Sequence, residues 1–282
     1  MCSGLIEAST QIEGRNSSMI RSMYSGISGL KNFQTKLDVI GNNISNVNTY
    51  GFKKGRTVFK DLISQTTSGA SAPSNTRGGV NAKQVGLGSQ LATIDTIHSG
   101  GSLQSTGNTL DLGISGDGYF QLTDNAGTDI SYTRAGNFYM DSNGDLVNGD
   151  GLYVVGDTFP IRIPTTAQSM SIGQDGTVTF VDENGALQDA GVIQIAKFPN
   201  SGGLTKAGSN YFKESPASGA PLDGNPLEEG RGSIQSGFLE MSNVDLSEEF
   251  TDMIVAQRGF QANTRIITTS DQILEELVNL KR

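Results

Sequence analysis

LDVIGNNISNVNTYGFKK (Leu37–Lys54) begins with the spacing of a helix and ends in a cluster of turn-forming residues. Leu37, Ile40, Ile44 and Val47 are separated by steps of three and four, which places them on one helical face. Asn42, Asn43, Asn46 and Asn48 then interrupt that face, and asparagine side chains compete with a helix for its own backbone groups. Asparagine and glycine also tolerate left-handed backbone. Asn46, Asn48 and Gly51 therefore predict an elbow at which the helix ends and the chain changes direction.

Upstream, the same face continues through Ile20, Met23, Ile27, Leu30 and Phe33, with one extra step of three between Leu30 and Phe33. This is a heptad seam with a single slip, although an ordinary amphipathic helix fits the same spacing. At the other end of the chain, Leu246, Met253, Phe260, Ile267 and Leu274 stand seven residues apart, with Phe250 beside them. Ile266, Ile273 and Leu280 form a second line. Ser242, Asn243 or Asp245 offer an N-cap, and Glu248 and Glu249 suit the positive end of the helix dipole. A helix of roughly 35 residues would extend about 50 Å, long for a domain of this size.

Opposite charges favour pairing of the two ends. Residues 19–60 carry a net +6 and residues 245–282 a net −3. Gly26, Gly29 and Gly41 cost the first helix up to about 1 kcal/mol each relative to alanine, so a narrow seam needs a partner to be stable. The expected interface comprises Ile27, Leu30, Leu37, Ile40 and Ile44 on one helix, with Leu246, Phe250, Met253, Phe260, Ile267 and Leu274 on the other.

Between the helices the texture is β. TLDLGIS, YFQLTD, FPIRIP, TVTFVD and GVIQIAKF are short apolar runs, most of them alternating, and they are punctuated by turns such as DSNGDL and DENGAL. The expected fold class is α+β, with N- and C-terminal helices pairing as a coiled-coil-like inner domain, together with an antiparallel β-rich central domain. The boundaries expected are an extension at residues 1–18, possessing neither a charged n-region nor an apolar h-region and either non-native or disordered; an N-terminal helix at 19–50; an elbow and extended connector at 51–85; a β-rich domain at 86–240; and a C-terminal helix at 241–282.

Composition excludes several functions. A net charge of −9 argues against nucleic acid, and no apolar run approaches the length of a membrane span. One cysteine (Cys2) and one histidine (His98) remove most metal and hydrolytic chemistry. DSNGDLVNGDGL (141–152) has calcium-loop spacing at Asp141, Asn143 and Asp145, but Leu146 and Leu152 replace the required glycine and glutamate, so it reads as a hairpin turn. His98, in DTIHSGG, reads as a polar surface residue at a strand end. No catalytic, cofactor or metal residue is expected, and the chain is not read as an enzyme.

Ser28–Lys54 and Ser236–Leu280 resemble the N- and C-terminal signatures of the axial proteins of the bacterial flagellum, the rod and hook family. TLDLGISGDGYFQL and YTRAGNFYMDSNGDLV resemble strands of that family's shared β-domain. The resemblance implies that the helices line the channel of a helical homopolymer and that the β-domain forms its outer layer. It also implies export without a cleaved signal through the flagellar type III apparatus. Phe59 and Ile63 have the spacing of an export element, and two packed side chains on one helical face fit that spacing too. The implied partners are other copies of the chain, rod and hook–filament junction proteins, and a hook cap during assembly.

Within the family, the terminal motifs look closer to hook proteins, whereas the length suits a distal rod protein or a short hook protein of the Gram-positive kind. The expectation drawn is a hook subunit acting as a flexible, torque-transmitting joint, with the distal rod as alternative. A soluble β-rich binding module that dimerises through its helical ends is a third possibility from outside the family.

Overall fold

The computed structural model describes residues 2–73, 77–124 and 129–279, with backbone alone for residues 2–20 and Leu277. It contains two long helices, α1 (Cys2–Ser45) and α2 (Leu246–Asn279), and a β-rich middle, so the class is α+β. Residues 2–18, expected as a non-native or disordered extension, are helical in backbone as the first part of α1. The chain divides into two compact units.

The first unit joins Met1–Asn42, Gly55–Asp95 and Leu246–Arg282. Its middle part, expected as an extended connector, is built of paired strands. Gly55–Asp61 pairs with Ser89–Thr96, Ser64–Ser68 pairs antiparallel with Lys83–Gly86, and Ser71 bridges Val80. Hydrogen bonds from Leu62 N–H to the Gly88 carbonyl and from Leu87 N–H to the Ile63 carbonyl bridge the gap between the two pairings. Residues 55–71 and 80–96 are thus paired as one long two-stranded ribbon, and the strand at 89–96 belongs to it instead of opening the β-domain. Polar composition concealed it: QTTS and AKQV have no apolar face to bury, yet a ribbon satisfies its backbone without one.

The second unit joins Asn43–Lys54 to Thr96–Asp245. Its main sheet has nine strands, with Tyr119–Thr123 at the centre between Ile130–Thr133, Tyr153–Val154 and Ile195–Lys197. Every residue of Tyr119–Thr123 is buried. Phe120 and Leu122 enter a core with Leu112, Phe138, Leu146 and Ile234, while Tyr119 packs in a second cluster with Tyr132, Phe198 and Phe212. A strand covered on both faces reads as continuous burial instead of in-out alternation. Its one amide, Gln121, is satisfied by donating to the Asp223 carboxylate at 2.9 Å. Residues 141–145 form the turn between the antiparallel strands Phe138–Met140 and Leu146–Asn148.

Candidate functional site

Two arrangements of side chains stand out, one in each unit. In the helical unit, α1 and α2 meet along positions that hydropathy does not mark. A Cβ on Gly29 would stand 2.5 Å from Asn263 Nδ2, and one on Gly259 would stand 2.5 Å from Phe33 Cζ. At Gly26 the nearest atom is Ile267 Cγ1, at 3.3 Å. Two of the three glycines that weaken α1 as an isolated helix, Gly26 and Gly29, thus stand close against α2, whereas Gly41 has nothing within 4 Å of its Cβ position. Lys36 and Asp252 add an ion pair at 2.9 Å. On α2, Glu249, Ala256 and Ser270 are buried and Asn263 is half-buried. Each stands three or four residues from the expected line, so the other half of the heptad is made of small and polar residues.

The expected interface residues divide accordingly. Ile40 is buried; Leu30, Leu37, Ile44, Met253, Ile267 and Leu274 are half-buried. Ile27 and Phe250 are each 50% exposed, and Leu246 and Phe260 are 39% and 36% exposed, so these four are only partly covered within the chain. Phe59 lies in the ribbon, half-buried, with its ring 6.5 Å from that of Phe33. Ile63 is 65% exposed and lies between two strands, so the pair does not share a helical face.

In the β-unit, α1 gives way after Ser45 to successive turns, with Thr49 N–H donating to the Asn46 carbonyl at 3.1 Å and the Thr49 hydroxyl to Asn46 Oδ1 at 3.2 Å. Asn48 borders a polar hollow of about 290 Å³. Gly51 has φ of 69°, and a Cβ there would stand 2.6 Å from the backbone of Arg134 and Ala135, so no other residue fits without displacing the chain.

Just beyond this elbow is a buried node that sequence reasoning missed. Gly51 N–H donates to the Glu240 carbonyl at 2.8 Å. Lys53 Nζ donates to Glu240 Oε1 at 2.6 Å and to the Ser99 carbonyl at 2.8 Å. Gly101 N–H donates to the same carboxylate oxygen at 2.9 Å. Arg134 Nη1 takes the other, Oε2, at 3.2 Å, and Nη2 donates to the Gly116 carbonyl at 2.8 Å. The Lys53 and Glu240 side chains are 0% and 1% exposed. Burial pushes the Lys53 ammonium below its ordinary value, and the charge of Glu240 opposes that shift.

Asn243 continues the node. Its Oδ1 accepts from Lys54 N–H at 2.8 Å, and its Nδ2 donates to the Ile97 carbonyl at 2.8 Å, so it is not the N-cap of α2. Three segments that each adjoin a boundary between units, 51–54, 97–101 and 240–243, are held together by these bonds. Lys53 had been counted with the helical charges but is consumed here. The single-sequence signal for it was faint: an acid and a lysine 187 positions apart.

His98 also departs from expectation. It is half-buried, with Nδ1 2.7 Å from the Tyr119 hydroxyl and its ring 5.3 Å from that of Phe212. Burial foremost, then the charges of Lys53, Lys206 and Arg134, lower its pKa to about 4, so the imidazole is neutral at pH 7. No helix among the described residues is long and apolar enough to cross a membrane.

The helical unit pairs two long helices and the β-unit is braced by a buried ionic node, features that suit a structural class of protein. Comparisons with known proteins give the class a family. Residues 23–53 match the flagella basal body rod protein family, residues 113–180 the flagellar hook protein FlgE/F/G D1 domain, and residues 235–280 the flagellar basal body rod FlgEFG protein C-terminal family. The chain is 63% identical over 268 residues to the flagellar basal-body rod protein FlgG of Bacillus subtilis, covering 94% of this chain and 100% of the relative. It is 41% identical to the FlgG of Borreliella burgdorferi over 268 residues, again covering 94% and 100%. To the flagellar hook protein FlgE of the same organism it is 33% identical over 443 residues, covering 93% and 100%. The chain belongs to the flagellar hook and basal-body rod family. It is a structural component of the flagellum and not an enzyme.

The relatives include both rod and hook proteins and favour the rod alternative over the expected hook subunit. The terminal motifs that suggested a hook are common to both branches, so they could not separate them. Family membership also removes the soluble binding module.

Proposed function

We propose that the chain is a subunit of the distal rod of the flagellar basal body, polymerising into a straight shaft that transmits torque. One observation carries the reading. The FlgG relatives match over their entire length at nearly this chain's own length, whereas the full hook relative needs an alignment of 443 positions against 282 residues here. The hook protein therefore has segments with no counterpart in this chain. The comparison within Borreliella burgdorferi, 41% against 33%, points the same way.

In this reading α1 and α2 form a coiled-coil-like inner domain around a central channel, and the β-unit forms the outer layer. The close approaches at Gly26, Gly29 and Gly259 support the pairing. The exposed Ile27, Leu246, Phe250 and Phe260 are then contacts to neighbouring copies, because apolar side chains left uncovered in one chain are the material of an interface. Partners are further copies and the adjoining rod and hook proteins. Export proceeds through the flagellar type III apparatus, with Phe59 and Ile63 as the proposed export element. The node at Glu240 fixes the paths by which the chain leaves and re-enters the β-unit.

Immunogold electron microscopy of intact flagella and isolated basal bodies, with antibody against residues 129–240, tests the reading. Gold on the straight shaft within the envelope is expected. Gold on the curved external segment would return the hook reading, and label on neither structure would remove both.

A further inference from the structure

The chain contains three asparagine-glycine pairs, Asn143–Gly144, Asn148–Gly149 and Asn184–Gly185, all in the β-unit. Asparagine is a labile residue, and most so before glycine, which has no side chain to keep its backbone nitrogen away from the neighbouring amide carbon. The fold places the three pairs in unlike surroundings.

Two of them occupy the same turn. In residues 141–145 and 182–186 the glycine N–H donates to the carbonyl of Asp141 or Asp182 at 2.9 Å, and the N–H of that aspartate donates to the carbonyl of Asp145 or Ala186 at 3.0 or 2.9 Å. Gly144 and Gly185 have φ of 85° and 78°, the left-handed residue that closes this kind of hairpin. The turns differ in what lies against them. Gly144 is buried, a Cβ there would overlap the Ile163 carbonyl, and its own carbonyl accepts from Ile163 N–H at 2.8 Å. Beside it the buried Asp145 holds Arg162 through two bonds at 2.8 and 3.0 Å. Gly185 has nothing within 4 Å of its Cβ position, and residues 183–189 are all exposed. The Asn184 side chain is held by a 3.5 Å bond to Asp182, and Gln168 donates to the Glu183 carbonyl at 3.1 Å from an exposed position. The third pair is fixed by its own side chain: Asn148 Oδ1 accepts from Asp150 and Leu152 N–H at 3.0 and 2.9 Å, and Nδ2 donates to the Tyr211 hydroxyl.

We propose that Asn184–Gly185 is a site of spontaneous deamidation through a succinimide, and that the fold protects the other two pairs. The Gly185 backbone nitrogen gives up its proton to solvent base and attacks Asn184 Cγ. The new C–N bond closes the ring, the bond from Cγ to Nδ2 breaks, and the nitrogen leaves as ammonia with a proton from water. Water then opens the ring at either carbonyl, which yields aspartate or, with the backbone rerouted through the side chain, isoaspartate. Ring closure requires the Gly185 N–H to leave the Asp182 carbonyl, so the turn must open. At 184–185 opening costs the turn's own bonds and the exposed one from Gln168. At 143–144 it must also break the bond from Ile163 and disturb the Asp145–Arg162 pair. Each conversion adds a negative charge to residues 163–196, which already carry Asp175, Asp182, Glu183 and Asp189 and no lysine or arginine. The reaction belongs to the β-unit alone and holds for a rod or a hook subunit alike.

The test keeps the full chain in mildly alkaline buffer, folded in one series and in concentrated urea in the other. Mass spectrometry with fragment-resolved peptides follows the amide-to-acid mass change at each pair, and enzymatic methylation counts isoaspartate. In urea the three pairs should convert at similar rates. In the folded chain Asn184 should convert at least about tenfold faster than Asn143 or Asn148. Asn184→Gln should remove the early acidic shift of the folded chain on isoelectric focusing and leave the unfolding midpoint unchanged. Folded-state conversion of Asn143 or Asn148 as fast as that of Asn184, or an acidic shift that persists unchanged in Asn184→Gln, would overturn the proposal. So would an Asn184 that stays intact in the folded chain while it converts in urea.

Discussion

The two units use their apolar residues in opposite ways. In the β-unit Leu112, Phe120, Ile195 and Ile234 are wholly enclosed, and the few charges that enter the interior are paired. In the helical unit the large side chains Ile254, Val255, Ile266 and Ile273 are exposed on α2, while its buried positions include Ala256, Ser270 and Glu249. One unit closes its core within the chain. The other uses small residues to bring its two helices close and leaves its large ones outward, as a subunit that is completed by neighbours requires. Stability and assembly should therefore respond to different substitutions.

The largest effect is expected at the node. Glu240→Ala would leave Lys53 and Arg134 buried without their shared carboxylate, at a cost of about 3–5 kcal/mol. Urea unfolding followed by tyrosine fluorescence of the β-unit should show the midpoint falling accordingly. An unchanged midpoint would mean that the node is not what holds these segments. Gly259→Val tests the other unit. Its added side chain would meet the Phe33 ring, separating the helices and abolishing tube formation in sedimentation assays, with the β-unit midpoint unchanged. If the two variants exchanged phenotypes, the division of labour between the units would be wrong.

What could be read from the sequence follows the same division. The line Leu246, Met253, Phe260, Ile267 and Leu274 was visible because apolar residues at sevenfold spacing stand out. Its companion line, Glu249, Ala256, Asn263 and Ser270, was invisible because fit, not hydropathy, selects it. The β-strands were legible by texture, but the ribbon at 55–96 was not, since its backbone pairing needs no apolar face. Asn46, Asn48 and Gly51 mark the turns that follow α1 through turn chemistry alone. Lys53, Glu240 and Asn243 could not be paired, because nothing local in a single sequence links residues so far apart.

A smaller effect should follow pH. His98 has a folded-state pKa of about 4, below its ordinary 6.5, so the unfolded chain binds the proton more readily than the folded one. This contribution is fully present above pH 6.5 and is lost as pH falls towards 4, on the order of 2 kcal/mol once discounted for the ring's partial exposure. Urea midpoints measured at pH 7 and 4.5 should differ less in His98→Gln than in the parent chain. An equal difference in both would assign the acid sensitivity to carboxylates elsewhere.

The smallest effect is expected where the sequence drew most attention to charge. A net +6 at one end against −3 at the other suggested electrostatic pairing, yet the ion pair described between the helices, Lys36 with Asp252, is half-exposed on the aspartate side. Such pairs contribute about 0.2–1 kcal/mol and weaken with salt. Lys36→Ala should therefore shift the protein concentration at which tubes form by less than about tenfold, and the shift should shrink at high ionic strength. If Lys36→Ala were as damaging as Gly259→Val, charge would be choosing the partner helix and close fit would be secondary. The expected order, fit above charge, follows from where the atoms are: a side chain at Gly259 would meet the rigid Phe33 ring, whereas water can replace either member of the ion pair.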